Sequence, residues 1–122
     1  MTQPVTSARV AVDAMGGDYG LCVAVEGALA ACRDLGLRVL LVGPAPKLAE
    51  QVRRLGGEHL QARVVDAPDV VSMGERVTRS ALKRRSSIQV GMDAVRRGEA
   101  DAFFSAGNTA ACWTIAKLVL SK

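Results

Sequence analysis

Four short apolar runs along the chain predict β-strands. They cover residues 10–12, 39–42, 64–65 and 102–104, and each is followed by an aspartate, a glycine or a serine. Strands that are apolar along their whole length, rather than at alternate positions, are typical of a parallel sheet whose two faces are both covered. The pattern therefore predicts a parallel sheet with helices on both sides.

Apolar residues at helical spacing lie between these runs and predict three helices. The three stripes are Leu21, Val25, Ala28 and Cys32, then Leu48, Val52 and Leu55, and then Ile88, Met92 and Val95. Gly36 and Gly98 lie where the first and third helices should end, and Ser86 or Ser87 can cap the start of the third. Because strands and helices alternate, the order predicts a doubly wound α/β fold.

A last helix is expected from about Thr109 toward Ser121. It is apolar nearly all round, with Lys117 as almost its only charge, and such a helix is normally buried on most sides. Four strands and their helices are too few to cover it. We therefore expect either a subunit interface here or further polypeptide after Lys122, and we favour the second.

The composition fits one folded domain. Hydrophobic residues make up 49% and charged residues 23% of the 122 residues, which is ordinary globular usage and excludes a disordered tail. The net charge is only +4, and aromatic residues, at 3%, are too scarce for the stacking platforms of RNA or single-strand binders. We therefore expect no nucleic-acid partner.

The cysteines indicate a reducing compartment. Cys22, Cys32 and Cys112 form no C-x-x-C pair and lie far along the chain from His59, the only histidine. An odd number without metal-ligand spacing argues against disulfides and zinc. The three cysteines occupy apolar helix positions and are predicted to lie in the core, whereas His59 is predicted to lie at the surface.

The first candidate for chemistry is the loop Asp-Ala-Met-Gly-Gly-Asp, residues 13–18, between a strand and a helix. It is neither a dinucleotide fingerprint nor a P-loop. Paired glycines let backbone N–H groups approach an anion closely. Asp13 and Asp18 would repel a bare phosphate unless they hydrogen-bond the loop itself. The alternative is an ordinary turn in which Asp18 caps the helix.

The second candidate is Ser-Ala-Gly-Asn-Thr, residues 105–109, which also joins a strand to a helix. Free N–H groups and the helix dipole favour an oxyanion or phosphate at such a position. Asn108 could also stabilise the oxyanion of an acyl transfer, because it donates without titrating. The alternative is simple helix capping by Asn108 or Thr109.

The third candidate is a basic segment. On a helix, Arg76, Arg79 and Lys83 would share one face, with Arg84 and Arg85 beside it. Such a face attracts phosphate or an acidic partner, although a charge run is more often a solvated surface. The two serines that follow it add hydroxyls at a helix start.

Together these motifs resemble those of the bacterial PlsX-type phosphate acyltransferases. The likeness rests on residues 13–18, on residues 79–87 (Arg-Ser-Ala-Leu-Lys-Arg-Arg-Ser-Ser) and on residues 105–109, and it runs from about residue 9 to residue 120. The family's usual glycine after the Asn-Thr pair is Ala110 here. Family members are much longer. Residues 1–122 are therefore expected to be the N-terminal part of a single α/β phosphate acyltransferase domain whose C-terminal part is absent.

The resemblance implies a Rossmann-like three-layer α/β/α fold with a mostly parallel sheet, incomplete in this chain. It implies an enzyme that transfers a fatty acyl group from acyl carrier protein to inorganic phosphate, giving acyl phosphate for phospholipid synthesis. It also implies a cytoplasmic homodimer, peripherally associated with the membrane, that needs no cofactor. No metal site is expected.

From the motifs and the resemblance we predict two catalytic residues, Asn108 for the oxyanion and Lys83 for charge compensation. The predicted phosphate- or substrate-binding residues are Asp13, Gly16, Gly17, Asp18, Arg79, Ser86, Ser87, Ser105, Gly107 and Thr109. Two other functions stay open, a non-catalytic fragment that docks carrier protein and a nucleotide-binding α/β domain.

Overall fold

The computed structural model describes residues 8–15, 20–68, 85–106, 115–117 and 120. Within them, the strands form one four-stranded parallel sheet in the order β3-β2-β1-β4. The strands are β1 (Arg9–Asp13), β2 (Arg38–Gly43), β3 (Ala62–Asp66) and β4 (Ala102–Phe104). All four strands predicted from apolar runs are present, and their parallel arrangement is confirmed.

In the described part of the chain, three helices lie between the strands. They are α1 (Gly20–Leu35), α2 (Ala45–Arg54) and α3 (Ser87–Arg96), and residues 115–117 and 120 are also helical. Gly36 and Gly98 follow α1 and α3 with φ angles of +69° and +78°, a left-handed conformation that glycine adopts without a steric penalty. Both predicted helix ends are therefore confirmed.

The sheet separates two apolar cores. Val39 and Leu41 of β2 face one core with residues of α1 and α2, whereas Leu40 and Val42 face the other with Ala94 of α3. Because successive side chains of a strand point to opposite faces, a strand that is apolar throughout serves both cores. The chain thus has the expected Rossmann-like α/β/α fold.

Two residues that were predicted to be buried are corrected by the structure. Cys22 is exposed because it lies in the first turn of α1, beside the stripe buried by Val25, Leu29 and Cys32. Leu55 is 36% exposed because α2 ends at Arg54 and Leu55 is its C-cap residue. Cys32 is buried and His59 is exposed, as predicted, and Cys112 lies outside the described residues.

None of the helices in the described part of the chain has the length and apolar character needed to cross a membrane.

Gly91 permits the close packing of α3 on the sheet. A Cβ atom built at Gly91 would overlap the aromatic ring of Phe103 in β4, whereas one built at Gly27 in α1 would meet nothing within 4 Å. The sequence pattern gave no sign of this difference, because both glycines lie inside helices.

We expect Gly91→Ala to lower the free energy of unfolding by about 1–3 kcal/mol, because the added methyl group forces the ring or the helix to shift. Gly27→Ala is the matched control and should raise it by about 0.5–1 kcal/mol through helix propensity. Urea unfolding followed by circular dichroism measures both. Equal effects of the two substitutions would contradict the packing argument.

The two described cysteines should differ in reactivity. Burial raises the pKa of the Cys32 thiol, and its Sγ lies 3.7 Å from the carbonyl oxygen of Gln61, whereas Cys22 is exposed. Since the thiolate is the nucleophile, Cys22 should be alkylated rapidly at neutral pH, and Cys32 should react only slowly until the protein unfolds. Peptide mapping after timed iodoacetamide treatment gives the two rates separately, and similar rates would show that Cys32 is accessible.

Candidate functional site

The candidate site lies where the strand order reverses, between β1 and β4. The chain leaves β1 toward α1 on one face of the sheet and reaches β4 from α3 on the other. In open parallel sheets, ligands bind outside the carboxyl ends of the strands at such a switch point. Asp13 is the last residue of β1, and Ser105 follows β4 directly.

Asp13 is the centre of a buried hydrogen-bond network. The residue is 3% exposed, and its carboxylate accepts hydrogen bonds from the hydroxyls of Ser87 at 2.5 Å and Ser105 at 2.7 Å. The backbone N–H of Met15 donates to the same carboxylate at 3.0 Å. We call Asp13, Ser87 and Ser105 the Asp13 cluster. It joins the ends of β1 and β4 to the start of α3.

Asp13 hydrogen-bonds its own loop. From the sequence, Asp13 and Asp18 would repel a bare phosphate unless they hydrogen-bond the loop, and the bond from the Met15 N–H to Asp13 is such a contact. A buried carboxylate is very costly without partners, and two hydroxyls and an amide supply them here. All three donors are neutral groups.

Ser86 and Ser87 have different roles in the fold. Ser86 is the N-cap of α3 and its Oγ accepts a hydrogen bond from the backbone N–H of Gln89 at 3.1 Å. Ser87 donates to Asp13 instead. The two serines are 0% and 1% exposed, so both side chains are engaged within the protein. Direct contact of either with phosphate stays a prediction.

The basic segment reaches the same edge of the sheet at its last residue. Arg85 is exposed, and its guanidinium donates to the backbone carbonyl of Asp66 at 3.2 Å. Asp66 is the last residue of β3, so Arg85 lies at the carboxyl end of the sheet, as Asp13 does. The remaining predicted site residues, Gly16, Gly17, Asp18, Arg79, Lys83, Gly107, Asn108 and Thr109, lie outside the described residues.

An apolar cavity of about 630 Å³ opens beside the cluster. It is lined by Val10 and Val12 of β1, by Phe104 of β4, by residues of α1 and by Asp13. Among the described residues, no group of three or more histidine, cysteine or carboxylate side chains is close enough to hold a metal ion.

Comparison with known proteins assigns the family. The model of a family described as "Fatty acid synthesis protein" matches residues 8–122. The chain belongs to this family. The likeness to phosphate acyltransferases predicted from the three motifs is confirmed by curated relatives that carry this name.

Curated relatives of this fatty acid synthesis protein family carry the name phosphate acyltransferase. The relative from Thermosynechococcus vestitus is 47% identical over 98% of this chain and 35% of its own length. Those from Gloeobacter violaceus and Geobacter sulfurreducens are 44% and 39% identical, over 88% and 93% of this chain and 32% and 33% of theirs. The chain thus spans about a third of the length of these relatives.

We expect Ser87 and Asp13 to be strongly coupled in stability. Ser87→Ala leaves a buried carboxylate short of one donor, which costs about 1–3 kcal/mol. In a double-mutant cycle with Asp13→Ala, the coupling energy should be about 1–3 kcal/mol.

The neighbouring serine supplies the control for this cycle. Ser86→Ala should cost about 1 kcal/mol through loss of the helix cap, and its coupling to Asp13→Ala should be close to zero. Chemical denaturation of the single and double variants gives both coupling energies. A coupling of Ser87 no larger than that of Ser86 would refute the buried network.

Proposed function

We propose that the chain contributes to a phosphate acyltransferase that moves a fatty acyl group from acyl carrier protein to inorganic phosphate. The observation that carries the proposal is its membership of a family whose curated relatives are named phosphate acyltransferase. The Asp13 cluster lies at the switch point of the sheet, where open parallel sheets bind ligands, and this supports the proposal.

The proposed reaction is a direct displacement. An oxygen of phosphate attacks the thioester carbonyl carbon, a C–O bond forms, the C–S bond breaks, and the carrier-protein thiolate leaves and takes up a proton. Phosphate would be held by backbone N–H groups near Gly16 and Gly17 and within residues 105–109, at the carboxyl ends of β1 and β4. Holding the phosphate oxygen close to the thioester carbonyl carbon supplies much of the rate enhancement. No covalent enzyme intermediate is required.

The charges of the reaction are assigned to three side chains selected from the sequence. Asn108 would donate to the tetrahedral oxyanion, while Lys83 or Arg79 offsets the charge of the phosphate. Arg85, whose guanidinium lies at the end of β3, supports a basic rim there. Such a rim also suits an acidic carrier protein.

The remaining parts of the proposal rest on the family resemblance. We propose a cytoplasmic homodimer that associates peripherally with the membrane and takes part in phospholipid synthesis. Analytical ultracentrifugation and vesicle co-sedimentation test the dimer and the membrane association separately.

The proposed activity can be tested in two forms of the protein. The 122-residue chain is assayed for acyl phosphate with acyl carrier protein and phosphate, and so is a chimera in which it replaces the matching third of the Thermosynechococcus vestitus relative. We expect little or no turnover by the chain alone and clear turnover by the chimera. Carrier-protein binding without turnover in both forms would favour a docking module, and saturable ATP or NAD binding would favour a nucleotide domain.

Asn108 provides a sharper test in the active form. Asn108→Ala should lower the turnover number about a hundredfold, because one oxyanion donor is removed, whereas Asn108→Asp should be no better, because it places a negative charge beside the oxyanion. The exposed residue His59 supplies a control, His59→Ala, which should leave turnover unchanged. An unchanged turnover number in Asn108→Ala would remove Asn108 from the mechanism.

A further inference from the structure

The apolar cavity of about 630 Å³ extends from one edge of the sheet to the other. Asp13 and Ala106 line it at the carboxyl ends of β1 and β4, whereas Leu37 and Val39 line it at the start of β2. The strands are parallel, so the start of β2 belongs to the opposite edge. A ligand whose reactive end lies at the switch point could therefore extend along the strands beside α1.

The lining of the cavity selects an apolar ligand. Apart from Asp13, every described residue that lines it is apolar or a glycine. Among these residues, no side chain other than that of Asp13 offers a hydrogen bond. Because burying a polar group without a partner is costly, the ligand should carry its polar atoms at the Asp13 end and be apolar along the rest of its length.

Two large apolar side chains of the lining are exposed to solvent. Val23 of α1 and Phe104 of β4 are 56% and 60% exposed, although both line the cavity. Exposed apolar surface that lines one cavity is typical of a binding site, and covering it with an apolar ligand is favourable. The lining thus includes apolar surface that a ligand would remove from water.

The dimensions suit a single alkyl chain. Between Gly20 and Ala31, which both line the cavity, α1 rises by about 16 Å. An extended carbon chain advances about 1.25 Å per carbon, so this length matches about 13 carbons. A protein helix of the same length, about 10 Å wide, has a volume of about 1,250 Å³, which is about twice that of the cavity. The size therefore favours an alkyl chain over a protein helix.

We propose that this cavity binds the fatty acyl chain of the acyl donor, and that Gly27 and Ala31 determine how long that chain can be. The thioester carbonyl would lie near Asp13 and Ala106, and the methyl end would point toward Leu37. The inference rests on the proposed function, because it takes a fatty acyl thioester as the substrate. It adds the location of the acyl chain and the residues that set its length.

Gly27 is the position at which the usable length can be changed. Gly27 lines the cavity, and a Cβ atom built there would meet nothing within 4 Å, so a larger side chain can enter the cavity. It lies seven residues after Gly20, which corresponds to about 10 Å along α1 and to about eight carbons of an extended chain. Gly27→Leu should therefore obstruct an acyl chain beyond about its eighth carbon.

The measurement compares two neutral thioesters, octanoyl- and dodecanoyl-N-acetylcysteamine. Their dissociation constants are obtained by NMR titration of the isotope-labelled chain. Each fully buried methylene strengthens binding about fourfold, and the four additional methylenes of the dodecanoyl group are partly buried in an open cavity. Wild type should therefore bind the dodecanoyl thioester about tenfold or more tightly than the octanoyl thioester.

Three variants test whether the cavity causes this preference. Gly27→Leu should bring the two constants within about threefold by weakening dodecanoyl binding alone. Ala31→Leu lies deeper and should reduce the preference less. Glu26→Leu is the matched control, because it adds the same side chain at an adjacent, exposed position of α1 that does not line the cavity, and it should leave the preference unchanged.

The same variants are tested for catalysis in the chimera with the Thermosynechococcus vestitus relative. The ratio of kcat/KM for dodecanoyl and octanoyl carrier protein should follow the order found for binding. Circular dichroism checks the fold of each variant, and Ala31→Leu decides the matter if Gly27→Leu does not fold.

Several outcomes overturn the acyl-chain assignment. One is a wild-type chain that binds neither thioester, and another is a preference that Gly27→Leu and Ala31→Leu leave unchanged or that Glu26→Leu lowers equally. Self-association of the wild-type chain that Gly27→Leu abolishes would assign the cavity to a second copy. A chimera that Gly27→Leu destabilises at unchanged chain-length preference would assign it to the remainder of the longer protein.

The assay of the wild-type chimera separates this inference from the proposed function. If the chimera forms acyl phosphate but the cavity variants have no effect on chain length, the acyl-chain site is refuted and the proposed function stands. If the chimera forms none, the proposed function is refuted, while the thioester titrations still measure binding to the cavity directly.

Discussion

A carboxylate buried at the end of a parallel strand constrains this whole edge of the molecule. Asp13 cannot be left in an apolar interior without donors, and the chain supplies them from its own loop, from the start of α3 and from the residue after β4. The sequence separations of 74 and 92 residues from Ser87 and Ser105 mean that this one side chain ties together the beginning and the end of the described fold. The hydrogen bonds can form only when β1, β4 and α3 are all in place.

The arrangement of the two apolar cores explains why these partners meet. The first two helices cover one face of the sheet and the third covers the other, so the chain must cross from one side of β1 to the other before β4 is added. That crossing places the start of α3 and the end of β4 on either side of Asp13. The polar cluster is therefore a product of the sheet topology.

Much of this fold follows from local pattern. Strands that are apolar throughout, helical stripes and two left-handed glycines each reflect forces acting over a few residues, and they gave correct strands, helices and helix ends. The exceptions also have local causes. Cys22 lies in the first turn of α1 beside its buried stripe, and Leu55 caps a helix that ends one residue earlier.

The residues of the candidate site could be selected from the sequence pattern, but their contacts could not. Asp13, Ser87 and Ser105 could be selected as polar residues at strand ends and helix starts, but nothing in their spacing shows that the first accepts hydrogen bonds from the other two. That contact depends on strand order and on the hand of a crossover, which are properties of the whole sheet. The close approach of Gly91 to Phe103 was missed for the same reason.

Gly91 lies four residues after Ser87, on the same side of α3. Without a side chain there, the helix axis comes nearer to the sheet by about the thickness of a methyl group, and the short serine side chain at the helix start can then span the gap to Asp13. Gly91 therefore allows the helix to pack directly against the ring of Phe103. Its influence on the polar cluster is mechanical, passed along one turn of a rigid helix, so a change made against an aromatic ring can alter hydrogen bonding at the far end of that turn.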